Sequence, residues 1–286
     1  MTERNLHIQR LGLYGILIAA ALVYLLPLIV MMLTSFKSLD DIRTGNLLSL
    51  PTEWTLAAWR SAWSSACTGI DCKGLAPYFM NSVRIAVPAI LISTLIGALN
   101  GYVLTQWRFK GSNLLFGMLL FGCFIPFQVV LLPMAQTLGW LGMANTTGGL
   151  VLVHVIYGMA FTTLFFRNFY VNIPGELVKA AQIDGAGFFR IFWRILLPIS
   201  GPIFVVTVIW QMTQIWNDFL FGVVYGSGDT QPITVALNNL VNSTIGVREY
   251  NVHMAAAVIA GLPTLLVYVL AGKYFVRGLT AGSVKG

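Results

Sequence analysis

Five long stretches of this chain carry no charge. Leu11–Phe36, Ile85–Trp107, Gly111–Phe166, Ile195–Asn217 and Tyr250–Gly272 contain no Asp, Glu, Lys or Arg. A helix needs about 20 mostly apolar residues to cross a bilayer's hydrocarbon core, and there it satisfies its own backbone hydrogen bonds. Four stretches therefore hold one crossing each. The longest holds two, divided by the turn-forming run Gly139–Gly149, GWLGMANTTGG. The expectation is an all-α membrane protein with six spans, near 11–36, 83–105, 113–135, 149–169, 199–221 and 253–275. Composition agrees: 57% of the 286 residues are hydrophobic and 9% are Asp, Glu, Lys or Arg. A soluble domain carries roughly a quarter charged residues, so this chain has too few to coat a soluble globule.

The formal charge of +7 could suggest a nucleic-acid binder, but its placement follows membrane orientation. Lys and Arg gather in short cytoplasmic loops beside the spans. With the N-terminus inside, Arg4, Arg10, Arg108, Lys110, Arg167, Lys179, Arg190, Arg194, Lys273, Arg277 and Lys285 fall inside, eleven residues. Lys37, Arg43, Arg60, Lys73, Arg84 and Arg248 fall outside, six residues mostly in one long loop. Both termini are expected in the cytoplasm, and no nucleic-acid partner is expected. The first apolar run follows basic residues as a signal peptide does. It is 26 residues long, beyond the roughly 7–15 of a signal core, and no small-residue cleavage site follows. It reads as a retained first span.

Residues 1–36 are thus an N-terminal segment with the first span, and 37–80 an outer loop. Within that loop Trp54, Trp59 and Trp63 have the spacing of an interfacial helix with an aromatic edge. Residues 81–276 form a core of five spans, with an inner loop at 170–198 and an outer loop at 222–252, and 277–286 form a tail. Cys123 lies inside a span and reads as a small buried apolar residue. Cys67 and Cys72 stand five apart in the outer loop and are a candidate disulfide if that side is oxidising. A metal site is not expected there, because no His accompanies them.

The inner loop carries the most information. From Pro174 it reads PGELVKAAQIDGAGFFRIFWRILLPISGP. Glu176 falls in a first helical turn, where an acid suits the helix dipole. Leu177, Ala180, Ala181 and Ile183 give a short amphipathic helix. Asp184-Gly185 breaks it, since Gly adopts positive φ readily and Asp can cap the helix that follows. Phe188, Phe189, Phe192, Trp193 and Ile195 form the next apolar face, interleaved with Arg190 and Arg194. The expected product is a helix-turn-helix on the inner membrane face. On these residues alone, a plain interfacial pair anchored by Phe and Trp is the competing reading.

This segment resembles the "EAA" loop of importer-type ABC permeases. Lys179-Ala180-Ala181, Gly185 and Ile195-Leu196-Leu197-Pro198 fall on that loop's spacings, and the IDGA around Gly185 is as in the carbohydrate-importer branch. Lys179 departs from the pattern, standing where the family has Glu. Asn81-Ser82, Trp216-Asn217-Asp218-Phe219 and the C-terminal RGLTAGSVKG are also similar to that branch. The overall run looks like the second permease of proteobacterial glucose/mannose importers. The resemblance implies a type I ABC importer permease fold, the binding-protein-dependent transport inner membrane component, in a bacterial inner membrane. It implies a second, different permease, two ATPases that bind ATP and Mg, and a periplasmic sugar-binding protein, with no cofactor in this chain itself. It further implies that Glu176, Lys179, Ala180, Ala181, Asp184, Gly185, Phe188, Phe189, Ile195, Leu197 and Pro198 couple to an ATPase. Tyr225–Val252 would reach into the binding protein, and Ala281–Gly286 would insert between the ATPases.

Polar groups inside spans are costly and each invites a reason. Gln211, Gln214 and Asp218 recur at three- and four-residue spacing, so they are expected to share one helix face. Amides and a carboxylate suit sugar hydroxyls; the alternative is that they bond neighbouring helices. Asn217, Asn100 and Gln128 are further candidates along a substrate path. His154 reads as a packing histidine rather than a proton relay. Gly97 and Gly101, four apart, permit close helix approach, expected against the partner subunit. No phosphate-binding loop and no catalytic cluster is present, so ATP hydrolysis is not expected of this chain. The competing class is a secondary transporter, for which only Asp218 offers an ion-coupling charge.

Overall fold

The computed structural model describes residues 3–69, 71–107, 109–243 and 248–281. In chain order the helices are α1 (Glu3–Ser35), α2 (Leu39–Thr44), α3 (Ala57–Ser64), α4 (Ala76–Gln106), α5 (Ser112–Phe124), α6 (Phe127–Trp140) and α7 (Thr147–Tyr170). They continue as α8 (Gly175–Ile183), α9 (Phe188–Ile191), α10 (Leu197–Ile199), α11 (Gly201–Trp216), α12 (Leu220–Tyr225), α13 (Ile233–Asn242) and α14 (Tyr250–Ala281). A π-type turn over Phe192–Leu196 joins α9 to α10. No strand occurs among the described residues.

Helices α1, α4, α7 and α14 are each long and apolar enough to cross a membrane, and the number rises to as many as six where each of two bent pairs counts as one span. The third expected span, 113–135, is one of these pairs and not a straight rod. Its halves α5 and α6 meet at 103°. Pro126 explains the break: it has no N–H to donate and disfavours helix at the residue before it, and Ile125 is extended (ψ 121°). The 13 residues of α5 rise only about 20 Å, short of the ~30 Å core. The fifth expected span starts at a bend: Gly201–Trp216 turns by 79° from Phe188–Ile199, which belongs to the preceding 171–200 loop. Its helix stops at Trp216, before the expected end near 221.

The chain divides into two compact units, Met1–Ala76 with Leu237–Gly261, and Pro77–Ala236 with Leu262–Gly286. In the first, α1 is uncovered by protein from Arg10 through Ile29. In lipid such a helix needs no protein cover, because its backbone bonds are internal. Beyond it, Lys37 is 2% exposed, its Nζ donating to Asn46 O and Ser49 Oγ, both at 3.0 Å. Asn251 Nδ2 donates to Lys37 O (3.0 Å), tying the start of α14 to the end of α1.

The expected aromatic helix is shorter than its three tryptophans. Only Trp59 and Trp63 lie in α3, because Thr55 N donates to Phe36 O and its hydroxyl accepts from Ala57 N, which holds the chain out of helix before Ala57. Phe36 then packs between Trp54 and Trp59, with centroids 5.6 and 5.4 Å away. Cys67 and Cys72 are joined by a disulfide. The chain returns through Gly74 (φ +65°), where a Cβ would lie 2.3 Å from the carbonyl oxygen of Trp63.

In the second unit α4 and α7 cross closely. A Cβ on Gly97 would lie 2.3 Å from Thr162 Oγ1, and one on Gly101 2.8 Å from Arg167 N. The small-residue pair expected to meet a partner subunit therefore meets α7 of its own chain. A buried polar knot sits at this crossing. Thr162 Oγ1 donates to Ser93 O (2.8 Å), and Gln211 Nε2 of α11 donates to Ser93 Oγ. Below it a core of Tyr102, Phe166, Tyr170, Ile191, Phe192 and Leu196, each at most 3% exposed, joins α4 and α7 to the 171–200 loop. Arg167 stacks on Phe116 at 3.9 Å, fastening α5 to α7.

Some expectations fall outside the described residues: the tail beyond Ala281, the side chains of Arg4, Arg108, Lys273, Arg277 and Lys285, and 244–247 of the outer loop. The described part of that loop is mostly built in. Ile233, Val235 and Ala236 of α13 are buried. Asn81 Nδ2 donates to the carbonyls of Asp229 and Gln231, while Ser82 Oγ accepts from Ile233 N (2.9 Å).

Candidate functional site

The 171–200 loop is a pair of helices joined by a tight turn. Helix α8 follows Pro174, with Glu176 in its first turn. It ends in a Schellman motif: Gly185 N donates to Gln182 O (3.0 Å) and Ala186 N to Ala181 O (2.9 Å). That geometry needs the left-handed residue supplied by Gly185, at φ +76°. Asp184 does not cap the next helix as expected. It is the C-cap of α8, and Gly187 precedes α9 with no side-chain cap.

The aromatic run divides by helical period. Phe188 and Phe192, four apart, turn inward onto Tyr102, with centroids 4.8 and 5.9 Å away and planes within 27° and 18°. Trp107 stands edge-on to the same ring, and its Nε1 donates to the Tyr102 hydroxyl. Phe189 and Trp193, also four apart, turn outward and are 65% and 52% exposed; Ile183 on α8 is 86% exposed. Lys179, Arg190 and Arg194 of the same loop are exposed as well. Glu176, Ala180, Asp184 and Pro198 are exposed too, whereas Ile195 and Leu197 are half-buried and Ala181 faces the core with Val178. The residues expected to touch an ATPase thus separate into an outward set and an inward set that fixes the loop.

At the loop's end Ser200 is fully buried, hydrogen-bonded to the Tyr170 hydroxyl at 2.9 Å. Gln106 Nε2 donates to Tyr170 O (3.4 Å). Tyr102 and Tyr170 were not singled out by sequence. The available signal was an aromatic cluster, Tyr102 and Trp107 at the end of one span and Phe169-Tyr170 at the end of another, beside a loop rich in Phe and Trp.

The polar residues of the fifth span do not share a surface. Gln211 is 1% exposed and its amide is spent on Ser93. Gln214 and Asn217 are exposed, and Asn217 Nδ2 donates back to Thr213 O (3.0 Å). Asp218 leaves the expected face because the helix ends at Trp216, and Gln211 parts from Gln214 within the helix because it turns to Ser93. Asp218 lies in the break, where its carboxylate accepts from Phe221 N (3.3 Å) and Gly222 N (3.2 Å) at the start of α12. His154 Nε2 approaches that carboxylate at 3.7 Å while its ring packs on Phe221. Asn100 Nδ2 donates to Thr163 Oγ1 (3.1 Å), and Gln128 is exposed just after the Pro126 bend. Among the described residues no three His, Cys, Asp or Glu side chains converge as metal ligands.

The chain is similar to known proteins over most of its length. A probable ABC transporter permease of Pyrococcus horikoshii is 46% identical over 180 residues, 63% of this chain and 65% of that one. A probable ABC transporter permease of Bacillus subtilis is 33% identical, covering 91% of this chain and 83% of its own. A glucose import system permease of Saccharolobus solfataricus is 29% identical, covering 96% and 95%. The crystal structure of a bacterial ABC transporter that imports the polysaccharide alginate has a chain with the same fold. The TM-score is 0.81 at 20% identity, over 96% of this chain and 99% of that one. The model of the family described as binding-protein-dependent transport system inner membrane component matches residues 89–281. This match spans more than half of the chain, and the chain belongs to that family.

Proposed function

We propose that this chain is a permease subunit of an ATP-binding-cassette sugar importer in a bacterial inner membrane. It passes a glucose- or mannose-type monosaccharide from periplasm to cytoplasm by alternating access. Its partners are a second, different permease, two ATPases that bind ATP with Mg, a periplasmic sugar-binding protein and the surrounding lipid. Both termini and the 171–200 loop lie in the cytoplasm. The chain itself hydrolyses nothing.

The observation that carries this reading is the outward exposure of Ile183, Phe189 and Trp193 on a loop whose inner side packs on Tyr102. Large apolar side chains held at that exposure on a rigid mount suit a protein partner. Lys179 puts a cation at the centre of α8, so the ATPase cleft should offer an acceptor there. Relatives named for glucose and alginate support a carbohydrate cargo, and the monosaccharide rests on the sequence resemblance. Gln214, Asn217 and Gln128, all exposed, remain for the sugar path.

Co-purification from mild detergent tests the assignment. The ATPase and second permease should travel with the wild-type chain, and Phe189→Asp with Trp193→Asp should release the ATPase alone. Retention of the ATPase by that double variant would sink the docking assignment. An ion-coupled carrier is the second reading, favoured only by the His154–Asp218 approach; sugar transport by the isolated chain, driven by an ion gradient, would establish it.

A further inference from the structure

Helix α4 runs as a single helix of 31 residues with Pro88 inside it, and it is fastened at three heights within one compact unit. Near its start, Asn81 Nδ2 holds the carbonyls of Asp229 and Gln231, and Ser82 Oγ holds Ile233 N. In its middle, Ser93 is locked to Thr162 of α7 and Gln211 of α11, and Gly97 lies against Thr162 without room for a Cβ. At its far end, Tyr102 is fully buried against Phe188 and Phe192, with Trp107 sealing its hydroxyl. Asn81 and Tyr102 are roughly 31 Å apart along the axis, at ~1.5 Å per residue.

We propose that α4 is the strut linking the 171–200 loop to the 229–233 segment, with Tyr102 and Asn81 as its positioning residues. The inference rests on the proposed function, in which an ATPase holds the first segment and a sugar-binding protein faces the second. Neither residue touches sugar or nucleotide. The physical case is stiffness. A force on the loop at Phe188 and Phe192 meets a close-packed aromatic stack, which moves as a body rather than yielding. The Ser93 knot and the glycine contacts keep α4 from sliding against α7 and α11, so displacement at Tyr102 appears at Asn81. Two amide hydrogens on the carbonyls of Asp229 and Gln231, two residues apart, orient the 229–233 segment as well as attach it. Both attachments are local, so each end can be cut without touching the other.

The test uses the whole reconstituted complex and reads how strongly sugar-loaded binding protein stimulates ATP hydrolysis. Tyr102→Leu, which removes the stack, and Asn81→Ala, which frees the far segment, should each lower stimulation about five-fold or more while the subunits still co-purify. Tyr102→Phe keeps the ring and should stay within about two-fold of wild type. The Tyr102→Leu/Asn81→Ala pair should be no worse than the weaker single variant, because a strut cut once transmits nothing. Independent packing losses at this separation would instead multiply. As a second measurement, docking of the binding protein should change amide exchange over 186–192 in wild type and not in Asn81→Ala. Full stimulation in both single variants, or multiplicative loss in the double, overturns the strut. Absence of any ATPase in the wild-type preparation overturns the parent reading and the strut with it, and is seen before any variant is made.

Discussion

Replacing Gly101 by Ala adds one methyl group to a helix interior that otherwise favours Ala over Gly by about 1 kcal/mol. The surroundings reverse that preference. The new Cβ would lie 2.8 Å from Arg167 N and Phe166 Cβ and 2.9 Å from Phe166 C. Ordinary contact begins near 3.4 Å, so α4 and α7 must open by about 0.6 Å. The obstructing atoms are largely backbone, so no flexible tip can swing away. The opening falls between the Ser93–Thr162 hydrogen bond and the Tyr102 stack, both of which it loosens. Overpacking of this kind costs about 1–3 kcal/mol, or roughly 5- to 150-fold in the folding equilibrium. The assay is equilibrium unfolding in mixed micelles, with Gly117→Ala as control. Gly117 lies inside α5 with nothing within 4 Å of its would-be Cβ, so its Ala variant should be neutral or more stable by up to ~1 kcal/mol. If the two variants unfold together, the close crossing of α4 and α7 is wrong.

Further expectations concern separate parts of the chain. Gly185→Val forces a β-branched residue to φ +76°, costing about 1–2 kcal/mol locally. ATP-driven uptake should fall while membrane insertion persists, as measured in vesicles. Gly158→Ala drives a Cβ to 2.1 Å from Gln211 Nε2 and should destabilise by about 1–3 kcal/mol. Adding Gln211→Ala, itself destabilising, should recover part of that loss in a double-mutant cycle. Asp41 accepts from the hydroxyl of Thr52 (2.6 Å), which with further bonds from Thr52 and Ser38 holds its carboxyl below the usual carboxylate range. A lowered folded value stabilises the 39–52 loop above the unfolded pKa of about 3.9 and is lost as pH falls through the folded value. Hydrogen exchange of that segment, corrected for intrinsic rates, should rise only in acid.

The spans were legible because lipid imposes one rule on every residue: a charge-free run of sufficient length becomes a helix. Leu11–Phe36 and Tyr250–Gly272 needed no knowledge of neighbours. The 103° bend between α5 and α6 was legible in principle, since Pro126 stands in mid-run, but hydropathy does not register it. The hinge at Gly185 was visible because positive φ selects a residue type. Side-chain destinations were not visible in this way. Periodicity grouped Phe188, Phe189, Phe192 and Trp193 as one apolar set, yet only the position of Tyr102 decides which two turn inward. Gln211 and Gln214 share a spacing but not an environment, because one meets Ser93 across a helix crossing and the other does not. Gly97 and Gly101 announced a close approach without naming the helix approached.

In the proposed function, transport through this chain is driven by an ATPase seated on the 171–200 loop. Sugar uptake into proteoliposomes containing both permeases, the ATPases and the binding protein tests it directly. Uptake should require ATP and be abolished, with the permeases still inserted, when Phe189 and Trp193 become Asp. Uptake by this chain alone, without ATP or ATPase, or undiminished uptake by that double variant, would contradict it.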